Sequence, residues 1–114
     1  MEFDPHLTSP ARLAIVAVLV PGKSLSFMEL RRSSGLADGN LHVQTRKLAS
    51  AGYIEILKGV RGKRSWTQFR ITEKGIAALR LHIRKLQGIL ATESGIIGPL
   101  RSTGRKDESQ VWSG

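Results

Sequence analysis

Apolar residues in this chain fall into four blocks with different periods, and the breaks between them mark the elements. Ser9-Pro10 begins a helix, with Ser as the N-cap and Pro at the first helical position, where its missing N–H costs nothing. The ten residues that follow, ARLAIVAVLV over 11–20, are apolar on nearly every face, so this helix should be buried on most sides or lie in a subunit interface. Pro21-Gly22 ends it. Ser26 and Glu29 have capping-box spacing, and Leu25 and Leu30 flank them at staple positions, so a second helix opens there. Ser33-Ser34-Gly35 keeps it short. Asp38 is expected to cap a third helix running to Ala51, with Gly52 taking the left-handed position after its end.

The period then changes from helical to alternating. Ile54 and Ile56 alternate with Tyr53, Glu55 and Leu57, and Thr67, Phe69 and Ile71 alternate with Trp66, Gln68 and Arg70. These two runs predict a β-hairpin joined by the six residues Gly59-Val-Arg-Gly-Lys-Arg64. Thr72 caps a last helix, on which Ile76, Leu79, Ile83, Leu86 and Leu90 recur at steps of three and four, the seam of a short coiled coil. Residues 1–8 form a polar lead, 9–91 a single domain, and 92–114 a Gly-, Ser- and charge-rich tail that is expected to be mobile.

Charge adds a partner to this outline. The chain of 114 residues has 18 Lys and Arg against 9 Asp and Glu, a net +9, which points to a polyanion: nucleic acid or an anionic membrane. Eleven of the basic residues lie between Arg46 and Lys85 against two acidic ones, so the whole excess sits in that stretch. The longest apolar run, Leu13 to Val20, is far short of the ~20 residues of a spanning helix. No basic segment precedes it, so no signal peptide is expected and the protein is placed in the cytoplasm. With no Cys, disulfides, thiolate zinc sites and thiol catalysis are excluded.

A short helix, a Gly-containing turn and a second helix form a helix-turn-helix, and a hairpin directly after it makes a winged helix. The fold class is therefore α+β, mainly α: three helices, a two-stranded wing and a C-terminal dimerisation helix. Four ordered segments, Phe27-Met-Glu-Leu30, Gly35-Leu-Ala-Asp-Gly-Asn-Leu41, Leu48-Ala-Ser-Ala-Gly-Tyr-Ile54 and Phe69-Arg-Ile-Thr-Glu-Lys-Gly75, carry a resemblance to small single-domain winged-helix transcription regulators of the MarR/ArsR-like group. The resemblance covers about residues 10–90. It implies a two-fold dimer reading half-sites about one turn apart.

A helical wheel locates the reading face. With Leu41 at zero and ~100° per residue, Thr45 and Leu48 turn to the core, while Asn40, His42, Val43, Arg46 and Lys47 face outward and Gln44 lies at the margin. Amides, an imidazole, an apolar side chain and cations are the groups that base edges and phosphates can use, and no Glu interrupts 38–51. Arg61, Lys63 and Arg64 at the wing tip are expected to reach phosphates or a minor groove. Trp66 is expected to pack on the wing or a partner. Leu13, Val16, Ile76, Leu79, Ile83, Leu86 and Leu90 are assigned to a homodimer interface.

Catalytic and metal sites are not expected, because His6, His42 and His82 are far apart and none has ligand spacing with acids. No cofactor is expected, and no effector is identified. The resulting function is a sequence-specific double-stranded-DNA-binding regulator of repressor type. The alternative is a winged helix that binds protein or structured RNA without operator specificity. A membrane-surface role is disfavoured by the absence of Trp and Phe from the seam.

Overall fold

Four helices and three strands follow one another along the chain: α1 (Pro10–Leu19), β1 (Leu25–Ser26), α2 (Phe27–Ser34), α3 (Asp38–Ser50), β2 (Ile54–Arg61), β3 (Arg64–Ile71) and α4 (Glu73–Ile97). The structure, a computed structural model, describes residues 2–20 and 22–97, with side chains through residue 91. It divides into two units, residues 1–82 and 83–114, the second described only as the remainder of α4.

Local chemistry sets most of the helix ends. Ser9 Oγ accepts from the Arg12 N–H at 3.3 Å, and Pro10 opens α1. Both arms of the Ser26 capping box form: the Ser26 N–H donates to Glu29 Oε1 at 2.8 Å, and the Glu29 N–H donates to Ser26 Oγ at 3.1 Å. Gly35, left-handed at φ 74°, ends α2. Asp38 is the first residue of α3 rather than its cap. The cap position is Ala37, without a side-chain bond, and the Asp38 carboxylate instead lies 3.2 Å from Arg31 Nε. A carboxylate in the first turn still suits the positive end of the helix. After α3, Gly52 at φ 82° lets the Tyr53 N–H donate to the Leu48 carbonyl and its own N–H to that of Ala49. These two bonds are a Schellman closure, and it aims the chain directly into β2.

The sheet has the order β1-β3-β2, all antiparallel, so the hairpin is joined by a third short strand that pairs Leu25 with Phe69 and Ser26 with Gln68. β2 and β3 stay paired out to Arg61 and Arg64. The connection is therefore two residues, Gly62-Lys63, rather than the six predicted, with Gly62 at φ 64° supplying the tight reversal. The flanking Gly59 and Val60 lack turn geometry because each has a ladder partner, Trp66 and Ser65.

The core gathers Leu7, Ile15, Val16, Leu19, Leu30, Leu41 and Leu48, none more than 1% exposed, with Tyr53, Ile54, Phe69, Ile71 and Leu79 around them. Two sequence expectations change here. Val16 and Leu79 belong to this core, not to a dimer surface, because a side chain buried within its own chain has no area to offer a partner. Residues 4–8 are a folded turn rather than a polar lead. The Leu7 and Thr8 N–H groups donate to the Asp4 carbonyl, and Leu7 is fully buried. At the other end, α4 continues through Ile97, past the expected boundary at Thr92, and 98–114 lie outside the described residues.

Asp4 latches that turn to the domain. One carboxylate oxygen accepts from the Tyr53 hydroxyl, and the other accepts from the His6 N–H at 2.9 Å. Burial acts to raise the Asp4 carboxyl, but these hydrogen bonds and the His6 ring outweigh it, holding its pKa below the ordinary 3.8. Burial, with the Asp4 bond and charge, pushes the Tyr53 hydroxyl up to about 12. The depressed carboxyl contributes stability above its ordinary pKa, which is lost as pH falls through its folded value. The raised phenol contributes below its ordinary pKa of 10 and loses that as pH rises through about 12. Asp4→Asn is therefore expected to cost about 1–2 kcal/mol at pH 7. Denaturant titrations should show the gap from wild type closing below about pH 4.

Candidate nucleic-acid interface

The buried stripe of α3, Leu41, Thr45 and Leu48, fixes which side of the helix faces out. Thr45 is polar but satisfied: its hydroxyl donates back to the Leu41 carbonyl at 2.8 Å. The opposite side exposes Asn40, Val43, Arg46 and Lys47, with Val43 48% exposed, as the wheel requires.

The two shoulders of that face are tied down. On one, His42 stacks on Phe27 of α2, with ring centroids 4.4 Å apart and an interplanar angle of 22°. On the other, half-buried Gln44 is held twice: Arg12 Nη1 donates to its Oε1 at 2.7 Å, and its Nε2 donates to Asn40 Oδ1 at 2.9 Å. The crest between the shoulders, Val43, Arg46 and Lys47, is left clear.

Strand alternation gives the hairpin two faces. Ile56 and Lys58, paired with Phe69 and Thr67, turn toward α3 and share with Phe27, His42, Thr45 and Arg46 a hollow of about 180 Å³. Lys58 thus stands beside Arg46 across that hollow. Its charge is plain in the sequence, but only the strand register shows which face it occupies. On the other face, Trp66 lies over Gly59, where an added methyl carbon would sit 2.2 Å from the indole. The ring fills the space that a side chain at position 59 would take, and it stiffens the ribbon beneath the tip. Trp66 remains 42% exposed and lines an open hollow of about 520 Å³ with Arg61, Arg64, Ser65 and Gln68.

Arg61, Lys63 and Arg64 are exposed around the two-residue turn. Other cations of the basic stretch are engaged within the chain. Arg70 pairs with Glu55 across the strands at 2.6 Å, and Lys74 stands 5.7 Å from the Tyr53 ring centre. A further basic hollow of about 460 Å³ is lined by Pro5, His6, Arg12, Arg46, Lys47 and Ser50. It brings the amino-terminal turn beside the second half of α3, a neighbourhood that sequence spacing does not reveal. Near the helix-turn-helix turn, Arg31 is committed to Asp38, and Ser34 Oγ accepts from the Leu36 N–H at 3.3 Å.

The remaining seam residues divide by position. Leu13 and Ile76 are half-buried against the core. Ile83, Leu86 and Leu90 are 44%, 41% and 59% exposed, a run of apolar side chains along α4. His82 is buried edge-on against Phe3. Among the described residues no three His, Asp or Glu side chains group as a metal site, and no helix is long and apolar enough to cross a membrane.

Comparison with known proteins agrees with this geometry. Residues 11–90 match the family model of the winged helix DNA-binding domain. An uncharacterized protein of Methanocaldococcus jannaschii is 33% identical over 78 residues, covering 68% of this chain and 85% of that protein. Among solved structures, a transcriptional regulator homologue from Pyrococcus horikoshii OT3 is similar with a TM-score of 0.69 and 26% identity, over 76% of this chain and 86% of that one. The transcriptional repressor BigR from Xylella fastidiosa follows with a TM-score of 0.58 and 28% identity, over 69% of this chain and 74% of that one. A MarR-family regulator from Enterococcus faecalis V583, at 17% identity and a TM-score of 0.67, shares the fold over 83% of this chain and 84% of its own. With the helix-turn-helix, the wing and the family match over most of its length, the chain belongs to the winged helix DNA-binding domain family, and its fold is that of the MarR-type transcriptional regulators.

Proposed function

We propose that this protein is a sequence-specific, repressor-type transcription regulator that binds double-stranded DNA as a homodimer. One observation carries the reading: a recognition helix with an exposed, glutamate-free crest stands beside a ribbon whose tip exposes three cations. The major groove admits such a helix, where Asn40, Val43 and Arg46 meet base edges while Lys47 and the wing meet phosphates. His42 and Gln44 support the reading face from its shoulders and extend its reach. Repression is supported by the similarity to BigR, described as a transcriptional repressor. A cytoplasmic location fits a chromosomal target. The exposed Ile83, Leu86 and Leu90 support pairing of two copies through α4, since a buried leucine or isoleucine stabilises by about 1.5–3 kcal/mol.

Sequencing of duplexes selected by the purified protein tests the reading. Two related half-sites about one helical turn apart are expected. A single asymmetric site removes the dimer, and no enrichment over a scrambled pool removes operator recognition, leaving the protein- or RNA-binding alternative. Against the selected site, Arg46→Ala is expected to reduce discrimination from scrambled DNA by about tenfold, because an Arg–base pair is worth about 1–3 kcal/mol. Lys63→Ala should weaken both duplexes equally in the same gel-shift series.

A further inference from the structure

The link from α1 to the recognition helix does more than hold a shoulder in place. Arg12 Nη1 donates to Gln44 Oε1 at 2.7 Å, and Gln44 Nε2 donates to Asn40 Oδ1 at 2.9 Å. Arg12 is itself fixed by two backbone carbonyls of the amino-terminal turn: its Nε donates to the His6 carbonyl at 2.9 Å and its Nη2 to that of Pro5 at 3.2 Å. A side-chain amide can be turned end for end with little change in shape, so its polarity is set by its partners. A guanidinium only donates. The Gln44 atom facing Arg12 must therefore be oxygen, its nitrogen must face Asn40, and the Asn40 atom receiving that bond must be oxygen.

We infer that Arg12 is a specificity-positioning residue: through Gln44 it fixes Asn40 with its amide nitrogen outward, so that Asn40 reads hydrogen-bond acceptors on a base edge. Guanine offers two acceptors in the major groove, N7 and O6, whereas adenine offers N7 beside the N6 donor and thymine offers O4 alone. The base pair beneath Asn40 is thus read as guanine over adenine. A free asparagine would pair bidentately with adenine, so the preference runs opposite to what the residue alone suggests. The inference rests on the DNA-reading role proposed above, but the polarity of the chain does not, so the two can fail separately.

The polarity can be reversed at one atom. Gln44→Glu keeps an acceptor for Arg12 and removes the donor toward Asn40. Asn40 must then turn its nitrogen inward, leaving oxygen outward for the amino groups of adenine or cytosine. Selection with wild type should enrich guanine at one position of each half-site. Gln44→Glu should shift that position to adenine or cytosine by about tenfold, the scale of one base contact. Arg12→Met should flatten it, and Arg12→Lys, which also only donates, should restore it. A merely structural Arg12 would lower affinity for all sequences alike and leave the base ratio unchanged.

Side-chain amide spectra of the DNA-free protein supply the independent readout. Slow exchange of a Gln44 Nε2 proton is expected in wild type and its loss in Arg12→Met. Absence of that protection overturns the inference while leaving DNA reading intact. Protection present without any base preference overturns both the specificity role and the DNA-reading proposal. Gln44→Glu selecting the same base as wild type overturns the polarity.

Discussion

Replacing Arg61, Lys63 and Arg64 together by alanine is expected to lower affinity for any duplex DNA by about 10²–10³-fold at 0.1 M salt. Each phosphate contact adds ~0.9 to the slope of log K against log salt, so three lost contacts should flatten the slope by ~2.7. All three side chains are exposed at the end of a ribbon that stays paired to its last residue before the turn. Among the described residues none of the three side chains makes a hydrogen bond or ion pair, so the melting temperature is expected not to move. The loss should be equal on selected and scrambled DNA, because a phosphate contact carries no sequence information. Affinities measured by fluorescence anisotropy across a salt series give slope and intercept together. An unchanged slope in the triple variant would falsify the assignment of the wing tip to the DNA backbone.

A larger effect on stability is expected from a single methyl group. Gly75 lies in the first turn of α4, and a Cβ there would stand 2.2 Å from the Tyr53 carbonyl oxygen and 2.9 Å from Ile71 Cγ1. The oxygen is backbone, just before β2, and already accepts from the Thr72 N–H at 3.0 Å. It cannot swing aside as a side chain would. Gly75→Ala should therefore destabilise by about 3 kcal/mol, although alanine is the better helix former. In a domain of this size that lowers the melting temperature by roughly 10–20 °C. Gly88→Ala in the same helix should do the reverse. Among the described residues nothing lies within 4 Å of its added carbon, so a propensity gain of about 0.5–1 kcal/mol is expected. On the wheel Gly88 lies ~180° from Leu79, away from the exposed apolar run. Opposite signs for one substitution in one helix separate packing from propensity. Calorimetry that finds both variants stabilised would mean that α4 does not approach β2 this closely.

Much of the fold was legible in sequence because its signals are local. The Ser9 and Ser26 caps, the glycine after α3 and the change from helical to alternating period each involve residues within a few positions of one another. The faces of α3 were legible for the same reason: Leu41, Thr45 and Leu48 recur at the helical period, and the crest follows by exclusion. The amino-terminal turn was not legible. Leu7 is one apolar residue among polar ones and belongs to no period, yet it is fully buried, because its partners come from elsewhere in the chain. β1 was missed because two residues carry no alternation, and they form a strand only where β3 offers them an edge. The wing turn is shorter than its two glycines suggest, because Gly59 leaves room for Trp66 rather than making a turn.

The sequence by itself determined the order of the helices and the hairpin, the caps that open α1 and α2, which side of α3 faces out, and that the basic excess lies from that helix onward. Such features depend on backbone geometry and side-chain spacing, which neighbours along the chain suffice to set. Tertiary structure alone decided which candidates serve which purpose. It placed Val16 and Leu79 in the chain's own core and left Ile83, Leu86 and Leu90 exposed. It put Lys58 across a hollow from Arg46 and removed Arg70 into a pair with Glu55. It also brought Arg12 to Gln44 across 32 positions of sequence, and so turned two freely rotating amides into a chain of fixed polarity. A hydrogen bond of that span is set by how α1 crosses α3, and no period or cap in the sequence encodes the crossing.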